Sequence, residues 1–164
     1  MKIRGALFNP VVLALLVAIA GGAAVWWGGT PAYAAGIWRT TLVPIVGTVS
    51  GPPERVLFWG QARINSRLAP DPDFHRPSLV LTIDLTGVSG VGSSGTKYVI
   101  SGPEIVQRGL AASHLVEITF PFFQSGTTGI SSAQSGVASF ALSFDLNTGA
   151  VMTATASIAS PNFR

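Results

Sequence analysis

Alternation of apolar and polar residues is the feature that most constrains this chain. From Thr40 onward, β-branched and aromatic residues alternate with polar ones in short runs, which clusters of Gly, Pro, Asn and Ser separate. Because successive side chains of a strand point to opposite faces, this period predicts strands that bury one face. About seven runs at regular spacing predict an all-β fold, either a single antiparallel β-sandwich or a small barrel.

Four apolar stripes are the clearest predicted core faces. They are Val56, Phe58, Gly60, Ala62 and Ile64; Leu79, Leu81, Ile83 and Leu85; Val116, Ile118, Phe120 and Phe122; and Phe140, Leu142, Phe144 and Leu146. The last stripe runs into Asn147-Thr148-Gly149, where glycine can supply the positive φ that a tight loop requires. Residues 150–159 are therefore predicted to return as the second strand of a hairpin.

Two kinds of segment interrupt the strand pattern. Ser101 and Glu104 have the spacing of a capping box, which predicts a short helix over residues 103–112. Residues 87–96 and 124–136 are rich in Gly, Ser and Thr and are predicted to be loops.

The N-terminal segment has the three-part layout of an export signal. Basic residues precede an apolar run at residues 11–27, and the small-residue sequence Ala32-Tyr33-Ala34 follows it. We expect a signal peptide over residues 1–34, cleaved to leave a β domain at 35–164. The alternative is a retained transmembrane anchor helix, since the apolar run is close to the lower length limit for crossing a bilayer.

Charge and composition narrow the expected location and partners. The formal net charge is +3, but it falls to +1 once Lys2 and Arg4 of the leader are set aside. A nearly neutral body argues against a nucleic-acid module, and the absence of Cys excludes disulfides, thiolate metal sites and a cysteine nucleophile. Basic residues ahead of the apolar run predict an extracytoplasmic body, either periplasmic or secreted. If the leader is retained, residues 11–27 would anchor it to the inner membrane.

Motifs for metals and cofactors are weak in this sequence. Asp71, Asp73 and His75 alternate, so in an extended segment they could face one cation, although a solvated turn between prolines is the favoured interpretation. Residues 90–95 spell G-x-G-x-x-G, but a dinucleotide site requires a helix to follow, and residues 96–100 predict another strand. No cofactor is expected.

Aromatic residues that are adjacent in the sequence indicate an exposed aromatic surface. Trp59 alternates out of phase with Phe58, and Phe122 and Phe123 cannot both face one core from a regular strand. The candidate surface for a ligand or partner comprises Trp59, Phe122, Phe123, Arg63, Asp84 and Glu117. Asp84, Glu117 and Asp145 are interpreted as partners of Arg63, Arg67 or Arg108 on neighbouring strands rather than as catalytic groups.

These observations favour a function without catalysis. The leading hypothesis is an exported binding or structural module, an accessory subunit of a bacterial envelope assembly with an envelope or surface protein as partner. One alternative is a carrier of a small apolar ligand, its mouth lined by Trp59, Phe122 and Phe123. Another is a small extracytoplasmic hydrolase using Asp84, Glu117 or the segment from Asp71 to His75.

Overall fold

The computed structural model of the protein describes residues 36–71, 76–126 and 133–161. Within these ranges the chain forms strands and turns without a helix, and nine strands lie in one mixed sheet. The strands are β1 (Arg39–Val49), β2 (Val56–Pro70), β3 (Pro77–Asp84), β4 (Val88–Gly92), β5 (Lys97–Ile100), β6 (Pro103–Gly109), β7 (Ser113–Gln124), β8 (Gln134–Phe144) and β9 (Val151–Ala159). The all-β prediction is confirmed, and the strand number exceeds the expected seven.

Strand pairing follows the order β1-β9-β8-β7-β5-β4-β2-β3-β6, and β1 also pairs with β2. The pairings therefore run in a circuit from β1 through β9, β8, β7, β5, β4 and β2 back to β1, while β3 and β6 extend from β2. The β1–β9 pair is parallel, at Val46↔Ser157 and Gly47↔Ile158, which corrects the prediction of an antiparallel sheet. Because β1 and β9 come from distant parts of the chain, no hairpin turn fixes their relative direction.

Strand β2 is the centre of this arrangement. It pairs with β1 on one side, and on the other with β4 up to Gly60 and with β3 from Arg63. Gly60 has a φ of 153°, and a Cβ there would collide with the carbonyl of Gly87. Glycine thus lets β2 change neighbours without leaving the sheet.

Two predictions of local structure were wrong. Residues 103–112 contain strand β6, which pairs with β3 from Asp84↔Pro103 to Ser78↔Gly109. The predicted loop at 87–96 contains β4, where a Cβ at Gly90 would lie 2.6 Å from the Phe58 ring. In both segments pairing with a neighbouring strand outweighs local composition, because strand formation depends on packing more than on intrinsic preference.

The predicted apolar stripes form the core. They are buried as expected, except that Gly60 is half-buried and Leu146 is exposed beyond the end of β8. At the centre, the Phe58 ring lies edge-on to Phe122 at 5.0 Å and to Phe120 at 5.8 Å, and Tyr98 lies edge-on to Phe122 at 5.7 Å. Each such pair contributes about 0.5–1.5 kcal/mol beyond the burial of its surface.

The hairpin predicted near Gly149 is confirmed. Strands β8 and β9 pair antiparallel, and Gly149 has a φ of 69°. In the turn, Asp145 Oδ1 accepts hydrogen bonds from the backbone N–H of Asn147 at 2.8 Å and of Thr148 at 3.2 Å. Asp145 therefore caps a turn, which is a local role that competes with the predicted pairing to arginine.

The leader prediction at residues 1–34 lies outside the described residues. Among the residues that are described, no helix is long and apolar enough to span a membrane.

Candidate partner-binding face

A row of side chains crosses the outer face of the sheet. Val46 of β1 lies opposite Trp59 of β2, and Trp59 lies opposite Ser89 of β4. Ser89 in turn lies opposite Val99 of β5, and Val99 lies opposite Phe123 of β7. Directly opposite residues share a face, so these five residues form one continuous line, the outer row. At about 4.8 Å between strands, the row is about 19 Å long.

The outer row is largely apolar and accessible to water. Trp59 is 45% exposed and Val46 is 59% exposed, while Phe123 is half-buried. Leu42 of β1 and Leu57 of β2 are also exposed on this face and extend the apolar surface along the strands. A contiguous exposed apolar patch of this kind marks an interaction site on many soluble proteins.

A cavity of about 300 Å³ opens on the same face where β2 changes neighbours. It is lined by Leu42, Gly60, Gln61, Arg63, Asp84, Thr86 and Gly87, and we call it the notch. Arg63 lies opposite Asp84 in the β2–β3 register, and it shares the outer face of β2 with Trp59. Of the predicted surface residues, the structure therefore places Arg63 and Asp84 together at the notch, with Trp59 further along the same face of β2.

The carboxylate of Asp84 in the notch is held by a local contact. Asp84 Oδ1 accepts a hydrogen bond from the Thr86 backbone N–H at 2.9 Å. This bond, the Thr86 side chain and the positive charge of Arg63 lower the pKa of Asp84, so the carboxylate is ionised at neutral pH. The predicted adjacency of Asp84 and an arginine is confirmed. General acid–base catalysis works best with a pKa near the working pH, and the pKa of Asp84 is shifted away from that range.

Glu117 lies elsewhere on the sheet. It is exposed on β7, where it accepts a hydrogen bond from the Ser139 hydroxyl of β8 at 3.1 Å, rather than from the predicted arginine. Strands β5, β4 and β2 lie between β7 and β3 in the pairing order. Glu117 therefore does not join Asp84 in the notch.

Phe122 is removed from the candidate surface. It is 0% exposed and lies against Phe58, Phe120 and Tyr98 in the core. Its neighbour Phe123 faces outward, because the strand alternation that buries Phe122 turns the next residue to the other side.

The weak metal candidates follow β2 in the chain, and the structure describes one of the three. Asp71 is described, and its backbone N–H donates to the carbonyl of Arg76 at 2.9 Å. Asp73 and His75 lie outside the described residues, so their prediction stays a prediction. Across the described ranges, no group of three or more His, Asp or Glu side chains is arranged to hold a metal ion.

A carboxylate that sequence reasoning missed is surrounded by hydroxyl groups. Glu54 accepts hydrogen bonds from the Ser94 backbone N–H at 2.7 Å, the Ser94 hydroxyl at 3.0 Å, the Ser93 hydroxyl at 3.1 Å and the Tyr98 hydroxyl at 3.0 Å. These bonds, first that of the Ser94 N–H, lower the pKa of Glu54 to about 2. Burial, together with the Glu54 carboxylate, raises the pKa of Tyr98.

The same cluster explains the G-x-G-x-x-G sequence at residues 90–95. A Cβ at Gly92 would collide with the Glu54 carboxylate, and Gly95 has a φ of 87° in the turn. Gly92 and Gly95 thus shape a turn around a side chain of the chain itself, whereas Gly90 lies in β4 against Phe58. The predicted strand after them is confirmed as β5. No sequence signal near Glu54 indicates this contact, because its partners lie about forty residues further on.

Comparisons of the chain with known protein families, with curated proteins and with solved structures gave no match.

Proposed function

We propose that the protein is an exported binding or structural module without catalytic activity, which contacts an envelope or surface protein through the outer row and the notch. The observation that carries this proposal is the outer row itself, where Val46, Trp59, Val99 and Phe123 line up across five strands. Aromatic residues in the centre of an apolar patch supply much of the binding energy at protein interfaces.

The expected partner follows from the chemistry of this face. Arg63 and Asp84 lie at the notch, beside the apolar surface of Leu42 and Trp59. Protein interfaces typically have an apolar centre and a polar rim. We expect the partner to present apolar side chains to the outer row, and an acidic and a basic group to Arg63 and Asp84.

For the architecture, we propose the small barrel rather than the two-sheet sandwich. Support comes from the β1–β2 pairing, which is continuous from Arg39↔Ser66 to Val49↔Val56. With the β1–β9 pairing it completes a circuit of strands, and closing a sheet on itself removes exposed edges. In this arrangement β3 and β6 form a two-stranded extension of the sheet beside β2.

The exported location rests on the export-signal pattern of residues 1–34. N-terminal sequencing and intact mass of the protein isolated from the cells that make it test this part. A mature start at Ala35 is the expected result. Recovery of the full chain in a membrane fraction would support the anchor instead, and recovery of the full chain in the cytoplasm would contradict export.

Two other functions have less support. A carrier with Phe122 at its mouth would have to expose a ring that lies in the core against Phe58 and Tyr98. A hydrolase with paired carboxylates needs them about 5–10 Å apart, whereas Asp84 and Glu117 are on strands that are not neighbours.

Capture from a solubilised envelope fraction tests the proposed binding face. The bait is the protein as the cells process it, compared with the double variant W59A/F123A. The matched control is L115A/M152A, which truncates two exposed apolar side chains outside the outer row. We expect one partner to be retained by the wild type and the control and lost with W59A/F123A. Equal capture by all three baits would overturn the proposed face.

A further inference from the structure

Strand β6 is an exposed edge of the sheet. Among the strands that the structure describes, it pairs with β3 alone, at the end of the strand order. All its residues are exposed except Val106, and Ile105 is 69% exposed. An unpaired edge offers backbone N–H and C=O groups to another strand.

The backbone groups that point away from β3 can be identified. Leu110 N–H donates to the carbonyl of Pro77 at 3.4 Å, one step beyond the last pair of the β3–β6 register, Ser78↔Gly109. Hydrogen-bonded and non-hydrogen-bonded pairs alternate along an antiparallel ladder. Ile105 and Gln107 therefore direct their N–H and C=O groups outward, and Val106 directs its own toward β3.

We propose that β6 pairs antiparallel with β6 of a second copy of this chain, with Val106 of each copy opposite Val106 of the other. In this register Glu104 of one copy lies opposite Arg108 of the other, twice over, because the two-fold axis repeats the contact. Both side chains are exposed. They belong to one face of β6, because the residues opposite them on β3, Ile83 and Leu79, are four positions apart and share a face of that strand. Opposite charges placed directly across a strand pair are stabilising, so the strand is complementary to itself.

The outward backbone groups fit the same register. Ile105 lies opposite Gln107 of the second copy, so these two residues exchange both backbone hydrogen bonds. In the single chain, the Arg108 guanidinium donates to the Gln107 carbonyl at 3.4 Å, which is long for a hydrogen bond. In the dimer that carbonyl accepts the Ile105 N–H of the second copy, and the guanidinium turns to Glu104.

The ends of β6 are also consistent with this pairing. Gly109 lies opposite Pro103 of the second copy, and proline has no N–H to donate to the Gly109 carbonyl. That carbonyl already accepts a hydrogen bond from His114 Nε2 at 2.9 Å, with the proton on Nε2. The carbonyl that would lack a donor in the dimer is therefore satisfied within its own chain. The dimer does not depend on the proposed partner face, since β6 contributes no residue to the outer row.

Disulfide trapping tests the register. Because the chain has no Cys, an introduced cysteine can form a disulfide only with the same position of a second copy. In the protein as isolated from cells, V106C is expected to form a symmetric disulfide dimer under mild oxidation. A non-hydrogen-bonded pair has a Cα separation of about 4.5 Å, within the range of disulfides. The control is I105C, which is more exposed but lies opposite Gln107. Cross-linking of I105C as fast as V106C would indicate random collision and overturn the register.

Charge reversal tests the interface independently. We expect E104R and R108E each to weaken dimerisation at least about tenfold in sedimentation equilibrium, because like charges then face each other. The double variant E104R/R108E should regain wild-type dimerisation, and R39E, which changes net charge as R108E does, should leave it unchanged. Wild-type protein that stays monomeric at about 100 μM, or a double variant as weak as the singles while thermal unfolding shows it folded, would overturn the proposal.

Discussion

The inner and outer faces of the same strands differ in burial and in the contacts of their aromatic residues. On β2, Phe58 lies in the core and the next residue, Trp59, is 45% exposed. On β7, Phe122 and Phe123 divide in the same way. Inside, the aromatic rings contact one another edge-on, whereas outside Ser89 and Val99 separate Trp59 from Phe123. One alternation therefore buries the rings of the core on one face and leaves aromatic residues accessible on the other, where we propose that a partner binds.

The largest expected effect distinguishes the two phenylalanines of β7. F122A should lower the free energy of unfolding by about 3–5 kcal/mol, because it removes a fully buried ring and leaves a cavity. F123A, the matched control one residue away, should cost less than about 1 kcal/mol. Urea unfolding measures both values. Similar losses for the two variants would contradict the division between the faces.

The next effect concerns binding. W59A should weaken binding to the captured partner by about 2 kcal/mol, roughly thirtyfold, since truncating a central aromatic residue of an interface has this magnitude. Its free energy of unfolding should change by less than about 1 kcal/mol. Titration calorimetry and urea unfolding of the same preparation measure the two quantities. A W59A protein with a lowered free energy of unfolding and unchanged partner affinity would assign Trp59 to stability instead of binding.

A smaller effect is expected where β2 changes neighbours. G60A should destabilise the protein by more than about 1 kcal/mol, because a Cβ would collide with the Gly87 carbonyl at a φ that other residues rarely adopt. The change should also lower partner affinity, since Gly60 lines the notch. G51A, at a glycine with open space around it, is the control. Equal thermal stability of G60A and wild type would argue against a requirement for glycine at this position.

The smallest effect appears only in acid. Glu54 has a folded-state pKa of about 2 against an ordinary value of 4.5, so the folded state favours the carboxylate. The resulting stability is present above pH 4.5 and is lost as the pH falls from 4.5 toward 2. Across this window E54Q should show a flatter pH dependence of unfolding than wild type, and Y98F, which removes one of several donors, should fall between them. Identical slopes for wild type and E54Q would contradict the hydroxyl cluster.

Strands with a strong local pattern were predictable from sequence. The stripes of β2, β3 and β7 alternate over many residues, and burial follows them. Strands β4 and β6 were not predictable, because a Gly-Ser run and a sequence such as Glu-Ile-Val-Gln-Arg carry little preference of their own. Their strand state comes from pairing with β2 and β3, which is information from distant parts of the chain.

The candidate site was predictable to a similar extent. Alternation alone placed Trp59 on the outer face and Phe122 in a core stripe, so the inclusion of Phe122 in the candidate surface disagreed with the strand pattern itself. Val46 and Val99 were missed because membership of the outer row depends on cross-strand register. Register depends on the turns that connect the strands and on positions such as Gly60, where a strand changes its neighbour, and these are not visible as a periodic pattern.

Site-specific photocross-linking in the cells that make the protein tests the central claim most directly. A benzoylphenylalanine introduced at Trp59, Val99 or Phe123 should give the same cross-linked partner from all three positions. At Leu115, which is 69% exposed on the outer face of β7 and about 26 Å along the strand from Phe123, the reagent should give no such product. Cross-links from Leu115 alone, or none from the outer row, would contradict the assignment of recognition to this face.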